Sequence, residues 1–461
     1  MRHRQLRART LLVGVMLALS DDRPAHLSRV HQALTELSAE DKQRLGVDID
    51  GHLLTYRQVE YTFAVVTKAL KKAEADGSPS EALCAVVDAL VEESVPASHK
   101  DASSSLAIDW SDHESFARPP LANQESADPE ASWGHRSAGA TKGELFFGYF
   151  LQAATMVLDE HGPEVCELVR RMLLTTCSLD PVPAFVPVLE RFCASGGALG
   201  DVLNDSGYSH RRPEHWALPV RRLGGRLVMD LHPHDRGTRG TFEGSICFNG
   251  NLYCPATPVA LFGIEPLGRG AGAEQTQAHD ARSSELARYK LGRISADDSD
   301  GFHRVICPAE MGKLRCPTKP ASLSLGFDRP QVGRPPVELP KCCSQATITV
   351  PPEVNAKTAQ KHDYPSKAHR QSYARRTAVE RSYSTLKDPA STDTTRGWCR
   401  VMGLPAVTLM LVCAVVVRNF RVVDAFEERQ REQERRLAAE LPPKTRRRRR
   451  KTVEDLVSSP P

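Results

Sequence analysis

Three acidic residues, far apart in the chain, could together bind a divalent metal ion. Asp109 ends a short apolar stretch that predicts a strand, Asp205 ends a second one, and Glu380 lies in a stretch with helical periodicity. Sites in α/β sheets usually form at the carboxyl ends of strands. Two Mg²⁺ ions held by carboxylates can activate a nucleophile and stabilise a leaving oxygen in phosphodiester cleavage. The alternative is that these are ordinary surface acids in a chain that has 57 acidic residues.

Four residues form a stripe if the segment "YARRTAVERSYSTLKDP" is helical. At about 100° per residue, the offsets from Tyr373 to Arg376, Glu380 and Lys387 place all four within roughly 60° of one another. A charged helix also produces such a stripe by chance.

The twelve cysteines are spread too thinly for a disulfide framework, and the adjacent Cys342-Cys343 would suit a metal site better than two bridges. This pattern fits a reducing cytoplasm. Four cysteines in short Pro-bounded phrases are candidate zinc ligands, although their gaps are not those of zinc fingers and inert thiols are the alternative: Cys247, Cys254, Cys307 and Cys316. "HPHD" (His232 to Asp235) could also bind a metal, but such a strand end is more often structural.

The elements that must position these residues predict an α/β protein in several parts. Residues 1–100 have helical periodicity and predict a small bundle that would suit DNA binding or dimerisation. Strand and helix patterns alternate through residues 101–240, which predicts the first part of an α/β core. Residues 241–360 are rich in Cys, Pro and Gly and predict an insertion. Helical patterns return in residues 361–425, the second part of the core, and residues 426–461 predict a charged helix and a basic tail.

Charge is distributed unevenly along the chain of 461 residues, whose formal net charge is only +4. "PPKTRRRRRK" (Pro442 to Lys451) could contact nucleic acid or could be a solvated tail. Two apolar segments imitate membrane signals. The start, "MRHRQLRARTLLVGVMLALSDD", lacks a clear cleavage site, and Leu404–Val417 is shorter than the ~20 residues that span a bilayer. We expect both to be packed helices, in a cytoplasmic protein without a membrane partner.

The spacing Tyr373-x₂-Arg376-x₃-Glu380-x₆-Lys387 resembles the Y-R-E-K signature of DDE transposases encoded by bacterial insertion sequences. "LGDVLNDSGYSHRRPEHWALPVRRLG" resembles the segment that carries the family's second acid, here Asp205. "GNLYCPATP" and "RGWCRVMGL" resemble segments of actinobacterial proteins of this type. The resemblance extends over most of the chain.

This resemblance implies an RNase H-like core, interrupted by the Cys-containing insertion and preceded by the helical domain. It implies that Asp109, Asp205 and Glu380 bind two Mg²⁺ ions, with Asp112 as the alternative first acid. Tyr373, Arg376 and Lys387 would be the DNA-binding residues. The expected activity is metal-dependent DNA strand cleavage and strand transfer by a homodimer on transposon ends. A non-catalytic DNA-binding protein descended from a transposase is the alternative.

Overall fold

The structure, a computed structural model, describes residues 6–21, 25–47, 53–71, 78–121, 124–136, 143–268, 270–333, 337–388 and 390–442. The arginine run of the basic tail lies outside the described residues.

The N-terminal part is helical, as its periodicity predicts. Its helices are α1 (Ala8–Ser20), α2 (Leu27–Glu36), α3 (Ala39–Leu45), α4 (Tyr56–Ala69), α5 (Glu81–Glu93) and α6 (Ala97–Lys100). Residues 26–47, which have one continuous helical pattern, form two helices. The reason is local: the Ser38 hydroxyl accepts the Asp41 N–H at 3.1 Å and so caps the start of α3.

A six-stranded mixed sheet forms the centre of the molecule. Its strands are β1 (Ser105–Glu114), β2 (Ser132–His135), β3 (Leu145–Val157), β4 (Val169–Thr176), β5 (Asp201–Asn204) and β6 (Arg226–Met229). β1 pairs antiparallel with β3, whose other side pairs with β2 and β4. β1 also pairs parallel with β5, and β5 parallel with β6. The chain is therefore a mixed α/β protein.

β1 is longer than its apolar stretch predicts. It does not end at Asp109 but continues to Glu114, because β3 pairs with it along its whole length, from Ser105 opposite Val157 to Glu114 opposite Gly148. Asp109 consequently lies in the middle of a central strand, opposite Ala153. The polar segment between residues 118 and 141, whose composition predicts a loop, contains β2.

Helices cover both faces of the sheet. The shorter helices between β4 and β6 are α7 (Pro181–Ala184), α8 (Val186–Ala194), α9 (Ser206–Ser209) and α10 (Ala217–Arg222). The buried apolar residues Leu106 and Ile108 of β1 pack with Leu189 of α8 and Val220 of α10 on one face. On the other face, the sheet packs with the N-terminal bundle and with the C-terminal helices described below.

The residues between β6 and the C-terminal helices form two small sheets. The first antiparallel sheet contains β7 (Thr238–Phe242), β8 (Ser245–Phe248) and β9 (Asn251–Tyr253). The second contains β10 (Gly292–Arg293), β11 (His303–Ile306) and β12 (Thr347–Val350). The helices of this part are α11 (Ala273–Arg288) and α12 (Lys341–Ser344). Buried side chains from both sheets, Cys247 and Leu252 from the first and Val305 and Ile348 from the second, form a shared apolar cluster.

Three C-terminal helices return to the sheet: α13 (Lys367–Tyr373), α14 (Thr377–Lys387) and α15 (Leu404–Ala438). The predicted helix over residues 370–387 is interrupted by a tight 3₁₀ turn, Ala374–Arg376. Residues 404–420 and 424–440, predicted as two helices, form the single helix α15, so the predicted boundary at residue 425 falls inside a helix. The charged second half of α15 continues the same helix beyond the core.

The apolar half of α15 is packed inside the protein. By length and composition, α15 could cross a membrane. In the structure, however, 83% of its most apolar 18-residue stretch is buried, and the helix contacts α1, α5 and β4. The described part of the chain start, α1, also packs with α2, α4 and α15 through buried Leu11, Val15 and Leu19.

Candidate functional site

Three separate elements bring the three predicted acids to the same region. β1 and β5 run parallel with Ala107 opposite Leu203, so the register continues to Asp109 and Asp205, two residues further along each chain. Both side chains therefore lie on the same face. Glu380 is in the first turn of α14, which packs over β1 and β3 on that face.

The turn after β5 is shaped around Asp205. The Asp205 carboxylate accepts the Gly207 N–H at 2.9 Å and caps the short helix α9. A Cβ atom at Gly207 would lie 2.5 Å from the ring of Trp110, so only glycine allows this close approach. Gly207 thus allows the turn to pack against β1, and its N–H fixes the Asp205 carboxylate.

One guanidinium lies among the three carboxylates. Arg376 Nη1 donates to Asp109 Oδ2 at 3.0 Å and to Glu380 Oε1 at 3.1 Å. Because both oxygens bind the same nitrogen, they can be no further apart than about 6 Å, the two bond lengths end to end. Asp109 and Arg376 are largely buried, whereas 55% of the Glu380 side chain is exposed. The group therefore opens to solvent on the side of Glu380.

The acids disfavour one another's charge. Burial, and after it the negative charge of Asp205, raises the pKa of Asp109 to about 7 in spite of Arg376. Burial is also the largest cause of the raised pKa of Asp205, against the opposing effect of Arg376 and of the Gly207 and Tyr208 N–H groups. When burial and neighbouring acids raise the pKa of a carboxyl to near neutrality, a further positive charge beside it stabilises its ionised form.

Tyr373 and Arg376 contact each other across the 3₁₀ turn. Arg376 Nε donates to the Tyr373 hydroxyl oxygen at 3.0 Å. Burial raises the pKa of Tyr373 to about 12, so the hydroxyl is neutral. Tyr373 also stacks on His369 with ring centroids 5.6 Å apart. These contacts orient the guanidinium toward Asp109 and Glu380.

Lys387, at the end of α14, pairs with Asp112. Lys387 Nζ donates to Ser111 Oγ at 2.8 Å and to Asp112 Oδ1 at 3.1 Å, and Arg136 pairs with Asp112 at 3.6 Å. Burial opposes the ionisation of Asp112, but Lys387 and Arg136 lower its pKa. The structure thus groups Asp109, not Asp112, with the acids at residues 205 and 380.

Tyr383 fixes α14 over the sheet. Its hydroxyl donates to the Asp109 carbonyl oxygen at 2.6 Å and lies 3.2 Å from the Leu151 carbonyl oxygen. The position of Glu380 over β1 therefore depends on a buried hydrogen bond one turn further along the same helix.

Asp230 is a fourth acid of this region that the sequence interpretation missed. It directly follows β6, as Asp205 follows β5, and its negative charge contributes to the raised pKa of Asp205. Its carboxylate accepts the Tyr364 hydroxyl at 2.6 Å and Arg236 Nη2 at 3.3 Å. An acid directly after a parallel strand was the available signal, in "RLVMDLHPHD".

Two residues of the predicted "HPHD" metal site, His232 and Asp235, lie together with His210. His210, His232 and Asp235 have ligand atoms that all lie within 4.8 Å of one another, and Asp235 also binds Lys357 Nζ at 2.8 Å.

The four cysteines predicted as zinc ligands are divided between two clusters. Cys254, Cys307 and Cys316 pack in one apolar cluster and Cys247 in another. All twelve cysteines are free thiols.

Comparisons of the chain with protein-family models, with curated proteins and with solved structures found no match.

Proposed function

We propose that this chain is a DDE-type DNA transposase, or a descendant of one, that cleaves and transfers DNA strands with metal ions held by Asp109, Asp205 and Glu380. The sheet with α14 would be its RNase H-like core, and the two small sheets its insertion. The expected partner is DNA at transposon ends, bound by a homodimer.

The observation that carries this proposal is the meeting of three carboxylates around a single guanidinium. They come from a central strand, from the end of its parallel neighbour and from a helix laid over both. Ends of parallel strands are where α/β proteins bind ligands. The resemblance to the Y-R-E-K signature makes the same three acids the metal ligands.

The donor set fits Mg²⁺. All three groups offer carboxylate oxygens, which hard divalent cations prefer, and three such groups suffice because Mg²⁺ keeps several waters. The raised pKa values of Asp109 and Asp205 are a second indication, since a bound dication would favour their ionised forms. When bound, two Mg²⁺ ions supply activation of the attacking oxygen and stabilisation of the leaving oxygen.

The chain's own residues would hold and orient the substrate. Arg376 holds Asp109 and Glu380 in position through its hydrogen bonds, and Tyr373 orients Arg376. Arg376 and Lys387 would supply positive charge for the DNA phosphates next to the scissile bond. Lys387 is the more accessible of the two, with 35% of its side chain exposed.

A non-catalytic DNA-binding protein is the second candidate. It is favoured by the hydrogen bonds of Arg376 to two of the three carboxylates, which is also how a purely structural ion pair would be arranged. In that case DNA affinity would remain but cleavage would be absent.

Cleavage of a DNA duplex that carries the inverted repeats flanking the coding region tests the proposal. The full chain is incubated with Mg²⁺ or Mn²⁺, and strand cleavage and transfer are followed on a denaturing gel. We expect Asp109→Asn, Asp205→Asn and Glu380→Gln each to abolish cleavage while DNA affinity persists.

Glu167→Gln is the matched control, because Glu167 pairs with Arg381 of the same helix α14 but outside the acidic group. It should retain cleavage. Equal cleavage by the wild type and all three acid variants would refute the enzymatic proposal, and wild-type DNA binding without cleavage would favour the second candidate.

A further inference from the structure

The small sheets carry a second cluster of potential metal ligands, far from the carboxylates in the chain. Cys254 directly follows β9, Cys307 directly follows β11, and Cys316 lies in the next turn. Their buried side chains pack in one cluster. Cys343, in α12 just before β12, completes the group: β12 begins at Thr347, which pairs with Ile306, so the segment that carries Cys343 lies beside the end of β11 that Cys307 follows.

Three of these cysteines begin the same kind of turn. Each is followed by proline, at Pro255, Pro308 and Pro317. The Thr257 N–H donates to the Cys254 carbonyl oxygen at 3.0 Å, and the Lys319 N–H donates to the Cys316 carbonyl oxygen at 3.0 Å. The turn after Cys307 closes one residue later, with Met311 N–H bonded to its carbonyl oxygen at 3.2 Å.

These turns direct polar groups at the sulfur atoms. Burial raises the pKa of the Cys254 and Cys307 thiols, and the N–H groups of Ala256, Ala309 and Glu310, two or three residues after these cysteines, oppose that rise. Cys316 Sγ lies 3.0 Å from Thr318 Oγ1, the equivalent position of its own turn. Buried cysteines that only fill space have no need of such donors, whereas a thiolate is stabilised by them.

The fourth cysteine is joined to this group by Lys319. This residue ends the turn that Cys316 begins, and its Nζ donates to the Gln345 carbonyl oxygen at 3.4 Å, two residues after Cys343. Cys342 Sγ lies 3.9 Å from Cys343 Sγ. Cys343 packs in the same apolar cluster as Cys247, but Cys247 lies within β8 opposite Leu252 and not at the end of a strand.

We infer that Cys254, Cys307, Cys316 and Cys343 form a structural zinc site, with Cys343 in place of the Cys247 that the sequence interpretation chose. Four thiolates in tetrahedral arrangement are a standard structural zinc site. The four sulfur atoms lie further apart in the structure than ligands of one ion do. A change of χ1 rotamer moves a cysteine sulfur by roughly 3 Å, so side-chain rotation can close the set around an ion.

The position of the site gives it a structural purpose. Its ligands lie at the end of β9, at the end of β11 and just before β12, so one ion would connect the two small sheets. The described residues between 307 and 346 contain little regular structure, only turns, the 3₁₀ helix Pro320–Ser324 and α12. Small, loop-rich units often depend on a metal for stability.

Elemental analysis of the full chain, produced with zinc in the medium and purified without chelators, tests the inference. We expect one zinc per chain. Cys254→Ser, Cys307→Ser, Cys316→Ser and Cys343→Ser should each lose it, while Cys247→Ser and Cys342→Ser, matched controls from the same subdomain, should keep it.

Cobalt spectroscopy distinguishes loss of a ligand from loss of the fold. Co²⁺ exchanged into the wild type should show the visible absorption and sulfur-to-metal charge-transfer bands of a tetrahedral thiolate site, and the Cys343→Ser spectrum should shift as one sulfur is replaced. A wild-type chain without zinc, or zinc lost in His232→Ala but kept in the cysteine variants, would overturn the inference. Retention of zinc by Cys343→Ser with loss by Cys342→Ser would overturn the choice of fourth ligand. None of these measurements depends on DNA cleavage.

Discussion

Strand β5 has an acid at each end, and the two acids have opposite surroundings. Asp201, at its start, is completely buried and binds three cations at 2.8–2.9 Å: Arg226, Lys361 and Arg375. Burial opposes ionisation of Asp201, but Lys361 and Arg375 outweigh it and lower its pKa. This end of the strand is an ion-pair cluster in which the negative charge is fully matched.

At the end of β5, around Asp205, acids outnumber cations. Asp205 lies with Asp109 and Glu380, and Arg376 is the guanidinium among these three carboxylates. The pKa of Asp109 is raised instead of lowered. Asp201 has three cations, of which it shares Lys361 with Glu160, and needs nothing further. Three acids around one cation leave negative charge that an additional cation can neutralise. The adjacent residues Arg375 and Arg376 thus serve a structural cluster and a candidate metal site.

Removing the central acid of each cluster should have opposite effects on stability. Asp201→Asn leaves the buried Arg375 without its carboxylate partner, which we expect to lower the free energy of unfolding by about 3–5 kcal/mol. Asp109→Asn removes a disfavoured charge and should be neutral or stabilising in EDTA at a pH of about 8. Urea unfolding of both variants measures this. Equal destabilisation by the two substitutions would show that both clusters are structural.

Mg²⁺ should stabilise the wild type and not the site variants. A ligand at about 100 times its dissociation constant adds about 2.7 kcal/mol to the free energy of unfolding. We therefore expect Mg²⁺, added to EDTA-treated protein, to raise the melting temperature of the wild type but not of Asp109→Asn or Glu380→Gln. A shift of the same size in these variants would place the ions elsewhere.

The two neighbouring arginines provide the next contrast. Arg375→Gln and Arg376→Gln each remove hydrogen bonds to buried carboxylates, worth about 1.5–3 kcal/mol for charged groups. Mg²⁺ should recover most of the loss in Arg376→Gln, because the ions neutralise the same acids, but none in Arg375→Gln. Thermal unfolding with EDTA and with Mg²⁺ measures both. Recovery in Arg375→Gln would contradict the division of roles.

The pH dependence of stability should differ between the wild type and Asp109→Asn. Because the pKa of Asp109 is raised to about 7, the folded chain keeps a proton there at pH values at which the unfolded chain has lost it. The free energy of unfolding in EDTA therefore falls as the pH rises from about 4 to about 7. We expect this fall to be about 3–4 kcal/mol smaller in the variant, from about three pKa units at about 1.4 kcal/mol each. Identical pH profiles would show that Asp109 ionises normally.

The smallest effect concerns Lys387. If it contacts one DNA phosphate, Lys387→Gln should lower the slope of log affinity against log salt concentration by about 0.9. Fluorescence anisotropy with a DNA duplex at several salt concentrations measures the slope. Arg381→Gln, also on α14 but paired with Glu167, is the control and should leave the slope unchanged.

Local patterns predicted the main elements around the site. The apolar run of β3 and the helical periodicity around Glu380 were sufficient to place both elements, and a glycine two residues after Asp205 marked its turn. The extension of β1 past Asp109 was not predictable in this way. The segment from Trp110 to Glu114 is mostly polar and contains no apolar run, and only pairing with β3 keeps it extended.

Long-range register explains what the sequence interpretation missed. Whether Asp109 or Asp112 joins Asp205 depends on how β1 and β5 align, and Lys387 binds Asp112 only after α14 has docked. The proposed choice of Cys343 over Cys247 likewise depends on strand pairing, because β12, which follows Cys343, pairs with β11, which precedes Cys307.

The sequence by itself determined which residues could do chemistry and the spacing of those within one element, such as Arg376 and Glu380, because contacts one helical turn apart follow from backbone geometry alone. The tertiary structure decided which distant acids and thiols share a site. Those contacts depend on strand register and helix docking, which arise from packing summed over the whole core and leave no mark at any single position.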